Sequence, residues 1–302
     1  MQKSKNAVQR SRDDKLFYSI SYAFVILLTL IVLYPLIFIV SASFSSANAV
    51  SSGRVVLFPV EPSIMGYQRV FENERVWTGY ANTILYTGLG TLINVFMTLI
   101  CAYPLARKKL PHKGFFTFLF TFTMLFSGGM IPSYLVMRDL KILNTVWVMV
   151  LPGAIGISQM IVTRTFLRST IPDELLEATQ IDGCNDFRFF TMFVLPLSKA
   201  IIAVLVLYYG VAYWNDYFTA MIYINTEEWY PLQLRLRELL IASQMLASME
   251  ATEDVMYAAY MQRVADLIKY GMIVISTLPV MILYPILQKY FVQGVMIGSL
   301  KG

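Results

Sequence analysis

Six stretches of the chain stay apolar over the roughly 20 residues that a helix needs to cross a hydrocarbon core. They are residues 17–40, 83–105, 115–137, 143–166, 200–224 and 267–290. Shorter polar segments separate them, so the pattern predicts an all-α polytopic membrane protein with six transmembrane helices. The first run follows a basic tail and ends at Ser41-Ala42-Ser43, which looks cleavable. It greatly exceeds the roughly 7–15 apolar residues of a signal peptide, so a retained anchor is expected. Pro104, Pro132, Pro152, Pro279 and Pro285 fall in or beside these runs. They are compatible with helices in lipid where neighbouring helices satisfy the freed backbone groups. Gly128-Gly129-Met130-Ile131-Pro132 predicts a locally irregular third span. That irregularity is either a packing kink or backbone facing a cavity.

Composition supports lipid as the outer solvent. The chain is 57% hydrophobic and 14% charged, against about 25% charged in soluble domains. The placement of lysine and arginine sets orientation. Lys3, Lys5, Arg10, Arg12 and Lys15 precede the first span, and Arg107, Lys108, Lys109 and Lys113 follow the second. Both segments are therefore expected on the cytoplasmic side. Between spans five and six the acids Glu227, Glu228, Glu238, Glu250, Glu253, Asp254 and Asp266 outnumber Arg235, Arg237 and Arg263, so that segment is expected outside. The predicted organisation is a cytoplasmic tail (1–16), a six-helix domain (17–290) with a polar cytoplasmic loop (169–198) and an outer loop (225–266), and a cytoplasmic C-terminal tail (291–302). Cys101 and Cys184 lie far apart and His112 is the single histidine, which leaves no metal-ligand spacing and no histidine relay. The basic residues form short clusters beside apolar spans, unlike a nucleic-acid module.

Loop 169–198 is too polar to cross a membrane yet carries helix signals. Thr170 and Asp173 have capping-box spacing, and Pro172 suits a first helical turn. A helix is expected through Glu174, Leu175, Leu176, Glu177, Ala178, Thr179 and Ile181, stopping at Gly183. Asn185 suits the cap of a second short helix through Phe187, Phe189, Phe190 and Phe193, which Pro196 ends or kinks. Two short helices on a glycine turn present an amphipathic face to a partner groove. Without a partner, Leu175, Leu176 and Ile181 are expected to be left uncovered.

Glu177-Ala178-Thr179, Gly183 and Phe193-Val194-Leu195-Pro196 resemble the E-A-A-x3-G-x9-I-x-L-P motif of type I ABC importer permeases. Thr179 stands where alanine is usual and Phe193 where isoleucine is usual. Tyr213-Trp214-Asn215-Asp216-Tyr217-Phe218 is similar to the W-N-[DE] signature of carbohydrate importers. Tyr230-Pro231-Leu232-Gln233-Leu234 and the ending from Pro285 to Gly294 and on to Lys301-Gly302 extend the likeness. Within that group the chain resembles the second permease of complex-oligosaccharide systems, and Phe126-Ser127 through Pro132 resembles a branch for polysaccharide fragments, some acidic.

The resemblance implies the type I permease fold with a cytoplasmic coupling helix in a bacterial plasma membrane. It implies a second homologous permease, a separate ATPase dimer and an extracellular sugar-binding protein as partners. Glu174, Glu177, Ala178, Thr179, Asp182, Gly183, Leu195 and Pro196 would then couple to the ATPase, and Tyr213, Trp214, Asn215, Asp216 and Tyr217 would face an oligosaccharide. The chain would be a transport subunit without catalytic residues or a cofactor, ATP and magnesium being held by the partners. No G-x-x-x-x-G-K-[ST] loop occurs in the sequence, so any nucleotide site of that type must lie on a partner.

From the residues alone, Asp216 is expected to face a cavity or a partner helix, because an ionised carboxylate in lipid costs roughly 2.5–3.5 kcal/mol. The competing expectation is an interfacial aromatic belt with Asn215 and Asp216 bonded to local backbone. Asn94 and Gln159 are weaker candidates, since lone polar groups in spans commonly serve helix packing. The acidic outer segment is either a docking surface for the binding protein or a solvated loop. An ion-coupled secondary transporter is the alternative function; it calls for inverted repeats and intramembrane acids, which the sequence shows poorly. A membrane enzyme is disfavoured, because no span carries paired carboxylates.

Overall fold

The computed structural model describes residues 12–248 and 255–299. Lys3, Lys5, Arg10, Glu250, Glu253, Asp254 and the Lys301-Gly302 ending lie outside the described residues. Every regular element among the described residues is helical. In chain order the helices are α1 (Arg12–Ser43), α2 (Ala47–Ser51), α3 (Met65–Glu72), α4 (Glu74–Ala106), α5 (Lys113–Leu125), α6 (Met130–Asp139), α7 (Val146–Val150) and α8 (Ile157–Thr170). They continue as α9 (Asp173–Ile181), α10 (Asp186–Phe189), α11 (Leu195–Leu197), α12 (Lys199–Trp214), α13 (Phe218–Tyr223), α14 (Leu232–Ser248) and α15 (Val255–Ser299).

Three of these, α1, α4 and the Arg263–Pro285 part of α15, are uninterrupted helices long and apolar enough to cross a membrane. Two further pairs qualify if each bent pair is one span: α5 with α6, bent by 112°, and Asp186–Leu197 with α12, bent by 77°. The expected irregularity in the third apolar run is present as a break at Gly129, which takes φ +87°, a conformation that disfavours any side chain. The fourth run, 143–166, does not form one helix. α7 stops at Val150, and α8 starts only after the turn that holds Pro152, Gly153 and Gly156. Pro152 brings no N–H and the glycines favour turns, so local chemistry overrides the apolar average. The expected outer loop 225–266 is also largely helical, being occupied by α14 and the start of α15.

The chain divides into two compact units. The first comprises the described parts of Met1–Val70 and Ser243–Val274. Its helix α1 buries none of its apolar window, as suits a surface solvated by lipid tails. At the Ser43 end, Ala42, Ala49 and Val55 form a core with Phe38, Val50, Val60 and Tyr270 around them. Ser46 caps α2 by accepting from Ala49 N at 3.2 Å. Glu61 pairs with Arg54 at 2.8 Å and accepts from Ser46 Oγ at 2.5 Å. The Ser46 and Arg54 bonds hold its carboxyl below the usual range.

The second unit, Phe71–Ala242 with the described part of Ile275–Gly302, is built on α4. This helix packs against α12 and α8, and three cores succeed one another along it. Tyr86 joins Val148, Met149, Val150, Ala220, Ile224 and Leu234 near the Glu74 end. Leu99 joins Ile201, Leu205, Tyr209 and Tyr213 midway. Ala102, Leu105 and Ala106 join Met160, Leu167, Ile171, Phe189 and Val194 near the Ala106 end. The Pro279 ring supplies no N–H to Ile275 O, four residues earlier. Tyr80 Oη from α4 donates to that carbonyl, so a neighbouring helix satisfies the group that proline frees.

Candidate functional site

Near the middle of α4 two polar residues, Asn94 and Thr98, sit one turn apart and face two tyrosines of α12, Tyr213 and Tyr209, also one turn apart. Tyr213 Oη donates within 3.1 Å of Asn94 Oδ1 and lies 3.2 Å from Val150 O. Asn94 Nδ2 donates to Gly153 O at 2.7 Å. Tyr209 Oη accepts from Gly156 N at 3.1 Å and shares a 2.8 Å hydrogen bond with Thr98 Oγ1. This ladder pins the turn between α7 and α8 to both long helices. Polar groups buried at such a depth need partners, and here each hydroxyl serves two elements. Close helix approach makes it possible, since a Cβ on Gly90 would lie 2.5 Å from the Tyr213 ring.

Beside the ladder opens a cavity of 390 Å³ lined by Asn94, Gln159, Tyr208, Tyr209, Tyr213, Asp216 and Thr219 among others. Of the five residues that the sequence placed towards a sugar, Tyr213 and Asp216 line it, and Trp214, Asn215 and Tyr217 do not. Trp214 is 8% exposed; its Nε1 donates to Ser276 O at 2.8 Å, and its ring meets Tyr80 edge-on. Asn215 Nδ2 donates to Val211 O at 2.8 Å. Tyr217 lies beneath the Arg237 guanidinium at 4.8 Å. Asp216 lines the cavity, and its Oδ1 accepts from Thr219 N at 3.0 Å. The sequence reading did not single out Tyr208, Tyr209 and Thr219. The spacing of Tyr209 and Tyr213 against Asn94 and Thr98 was the available signal, and pairing those two helices required the fold.

The second assembly is at the Ala106 end of α4. α9 begins after Pro172, but the expected capping box is absent. Thr170 belongs to α8 and its Oγ1 has no partner, because the helix-terminating turn at Ile171 carries it away from Asp173. The glycine stop is as expected. Gly183 takes φ +78°, with Gly183 N donating to Gln180 O at 3.0 Å and Cys184 N to Thr179 O at 2.9 Å, a Schellman turn. Asn185 caps α10 by accepting from Arg188 N at 2.8 Å. A wide π turn from Phe190 to Val194 leads into α11, which holds Leu195 and Pro196.

Of the three apolar residues expected to be left uncovered, Ile181 is and Leu175 and Leu176 are not. Leu175 and Leu176 pack onto the core at the end of α4, whereas Ile181 and Phe187, flanking the glycine turn, are 87% and 77% exposed. Thr179, at the alanine position, is buried and returns its hydroxyl to Leu176 O at 2.9 Å, so the polar group is satisfied within the helix. Glu174, Glu177, Ala178 and Asp182 are exposed, as is Pro196, and Glu177 meets Lys109 Nζ at 3.1 Å.

No protein-family model matches the chain. Whole-length similarity to known proteins is nonetheless high. The polygalacturonan/rhamnogalacturonan transport system permease protein YtcP of Bacillus subtilis is 36% identical over 289 residues, covering 96% of this chain and 99% of that protein. Protein LplC of the same organism is 38% identical over 272 residues, covering 90% of each. Its melibiose/raffinose/stachyose import permease protein MelC is 27% identical over 250 residues, covering 82% of this chain and 84% of that protein. Among solved structures, a chain of a bacterial ABC transporter involved in the import of the acidic polysaccharide alginate superposes with a TM-score of 0.84. It is 34% identical and covers 93% of this chain and 99% of that one.

Proposed function

Since the chain belongs to the permeases of ABC sugar-import systems, we propose that it forms one half of an ATP-driven oligosaccharide importer and delivers force through the α9–α10 loop. The observation that carries this is the Schellman-turned knob at the end of α4, which exposes Ile181 and Phe187 beside Glu177. Apolar side chains held out on a rigid glycine turn suit insertion into a groove, here that of a cytoplasmic ATPase dimer. A second homologous permease completes the pathway, and the unburied apolar length of α1 supports contact with lipid or that partner. An extracellular binding protein supplies the sugar. The chain then crosses the membrane six times between residues 17 and 290, with loop 169–198 and both tails in the cytoplasm. The broken 143–166 segment serves as the fourth crossing, its turn lining the sugar path.

Co-expression with partner permease, ATPase and binding protein tests the coupling. Glu177→Ala and Gly183→Pro are expected to insert normally while abolishing the hydrolysis that sugar-loaded binding protein stimulates. Stimulation that survives both changes would place the coupling contact outside the α9–α10 loop.

Within the cavity the Asp216 carboxylate is proposed to accept sugar hydroxyls, and the Tyr213 ring to give an apolar face. Asn215 and Trp214 support the turn from behind. Asp216→Asn retains the acceptor for Thr219 N, so thermal stability is expected to hold. The half-saturating sugar concentration is expected to rise about tenfold, the value of one charged hydrogen bond of roughly 1.5 kcal/mol. An unchanged sugar dependence would move substrate contact to the partner permease.

A further inference from the structure

Charges as well as packing join the end of α4 to the first turn of α9. Arg107 closes α4 and lies over two rings, 4.8 Å from the Tyr103 centroid and 5.2 Å from that of Phe189. Its Nη1 reaches Asp173 Oδ1 at 3.4 Å, and Lys108 Nζ reaches Asp173 Oδ2 at 3.2 Å. Lys113 Nζ donates to the Arg107 carbonyl at 2.9 Å, and Arg164 Nε to Leu105 O at 3.1 Å. The bridge is end to end. A cation sits at the carbonyl end of one helix and a carboxylate at the amide end of the other, where each dipole favours it.

Open space flanks this bridge. One cavity of 250 Å³ and another of 590 Å³ adjoin it, and Arg107, Lys108, Asp173 and Glu174 line both. Leu175 and Leu176 pack beside the bridge on the core at the end of α4, and Arg107 is the less exposed of the two cations that tie the first turn of α9 to α4. The neighbouring pair is different in kind. Lys109 and Glu177 are 82% and 56% exposed, a setting in which an ion pair adds little and exchanges readily. The Arg107 side chain is only 13% exposed, and the two rings restrict it further. Burial pushes the Asp173 carboxyl up, but bonds and charge from Lys108 and Arg107 outweigh it and hold it below the ordinary value. The bridge is therefore intact above the usual aspartate range and is lost only as pH falls below it.

Building on the coupling role proposed above, we infer that Arg107 is a positioning residue for coupling. It converts displacement of α9 into movement of α4, whose Asn94 holds the cavity wall at Gly153. Glu177 is left exchangeable for the partner, while Arg107 keeps the knob attached to the rod behind it.

The test uses the complete complex in vesicles and reads sugar imported per ATP hydrolysed, together with the ATPase that co-purifies. Arg107→Met keeps the apolar stem between the rings, and Asp173→Asn keeps the shape of the side chain. Each is expected to retain co-purification and basal hydrolysis while the transport ratio falls at least about fivefold, the lower range of coupling between sites. The double variant is expected to fall no further than the worse single one, because both remove one interaction. An unchanged ratio, with or without loss of co-purifying ATPase, would overturn the inference, as would strictly additive losses. Absence of sugar-stimulated hydrolysis in the unaltered complex would overturn the coupling role itself, and the inference with it.

Discussion

Gly90→Val is expected to unfold the second unit at a markedly lower temperature than the parent, by about 3 kcal/mol or more of lost stability. A single Cβ at position 90 already meets three Tyr213 ring atoms between 2.5 and 2.8 Å. An isolated tyrosine would swing aside, but this one is held at its far end by Asn94 Oδ1 and Val150 O. Retreat of the ring therefore breaks the ladder and strands the Asn94 carbonyl, adding the cost of an unsatisfied buried group to that of overpacking. Gly88, in the same helix, is the control, because a Cβ there meets nothing within 4 Å. Heating both variants in detergent and following the surviving monodisperse fraction separates them. Equal losses at the two positions would show that helix propensity, and not the α4–α12 approach, governs this site.

Trp214→Ala is expected to be comparably severe, at about 3–5 kcal/mol. Its indole is buried, donates to Ser276 O, and packs edge-on against Tyr80, which itself satisfies Ile275 O above Pro279. Removing the ring opens a cavity where α4, α12 and the Pro279 turn of α15 meet. Trp214→Phe keeps much of the packing and loses the hydrogen bond, so an intermediate loss is expected. The same variants distinguish the role of the W-N-[DE] signature. Trp214→Phe should lower thermal stability with the sugar dependence of stimulated hydrolysis unaltered, whereas Asp216→Asn should do the reverse. A changed sugar dependence in Trp214→Phe would place the indole against substrate after all.

Together these variants divide one short signature into two physical tasks. Tyr213 and Trp214 direct their hydrogen bonds into the protein, and exposed Asn215 bonds back to Val211 O one turn earlier in α12. Asp216, at the break, keeps one oxygen on the backbone of α13 while lining the cavity. Residue type alone suggested a cluster of aromatic and polar groups around sugar. Which of them is available to a ligand depends on the carbonyls that α7 and α15 bring near.

The sequence by itself determined what rests on local physics. Long apolar runs placed α1, α4 and the apolar part of α15, because unsatisfied backbone in lipid leaves helix as the economical solution. Gly183 marked the Schellman turn, Asn185 marked the cap of α10, and Gly128-Gly129 marked the break before α6. These are short-range effects of side-chain volume and of hydrogen bonding within a few residues. The tertiary structure alone decided the rest. Averaged hydrophobicity ran straight through the turn at Pro152 and Gly153, and capping-box spacing at Thr170 and Asp173 lost to the end of the preceding helix. Arg107, Lys108 and Lys109 gave only sidedness until the fold set Asp173 and Glu177 beside them. Pairings across such sequence distances carry no local signature, since they depend on which helices touch and at what height.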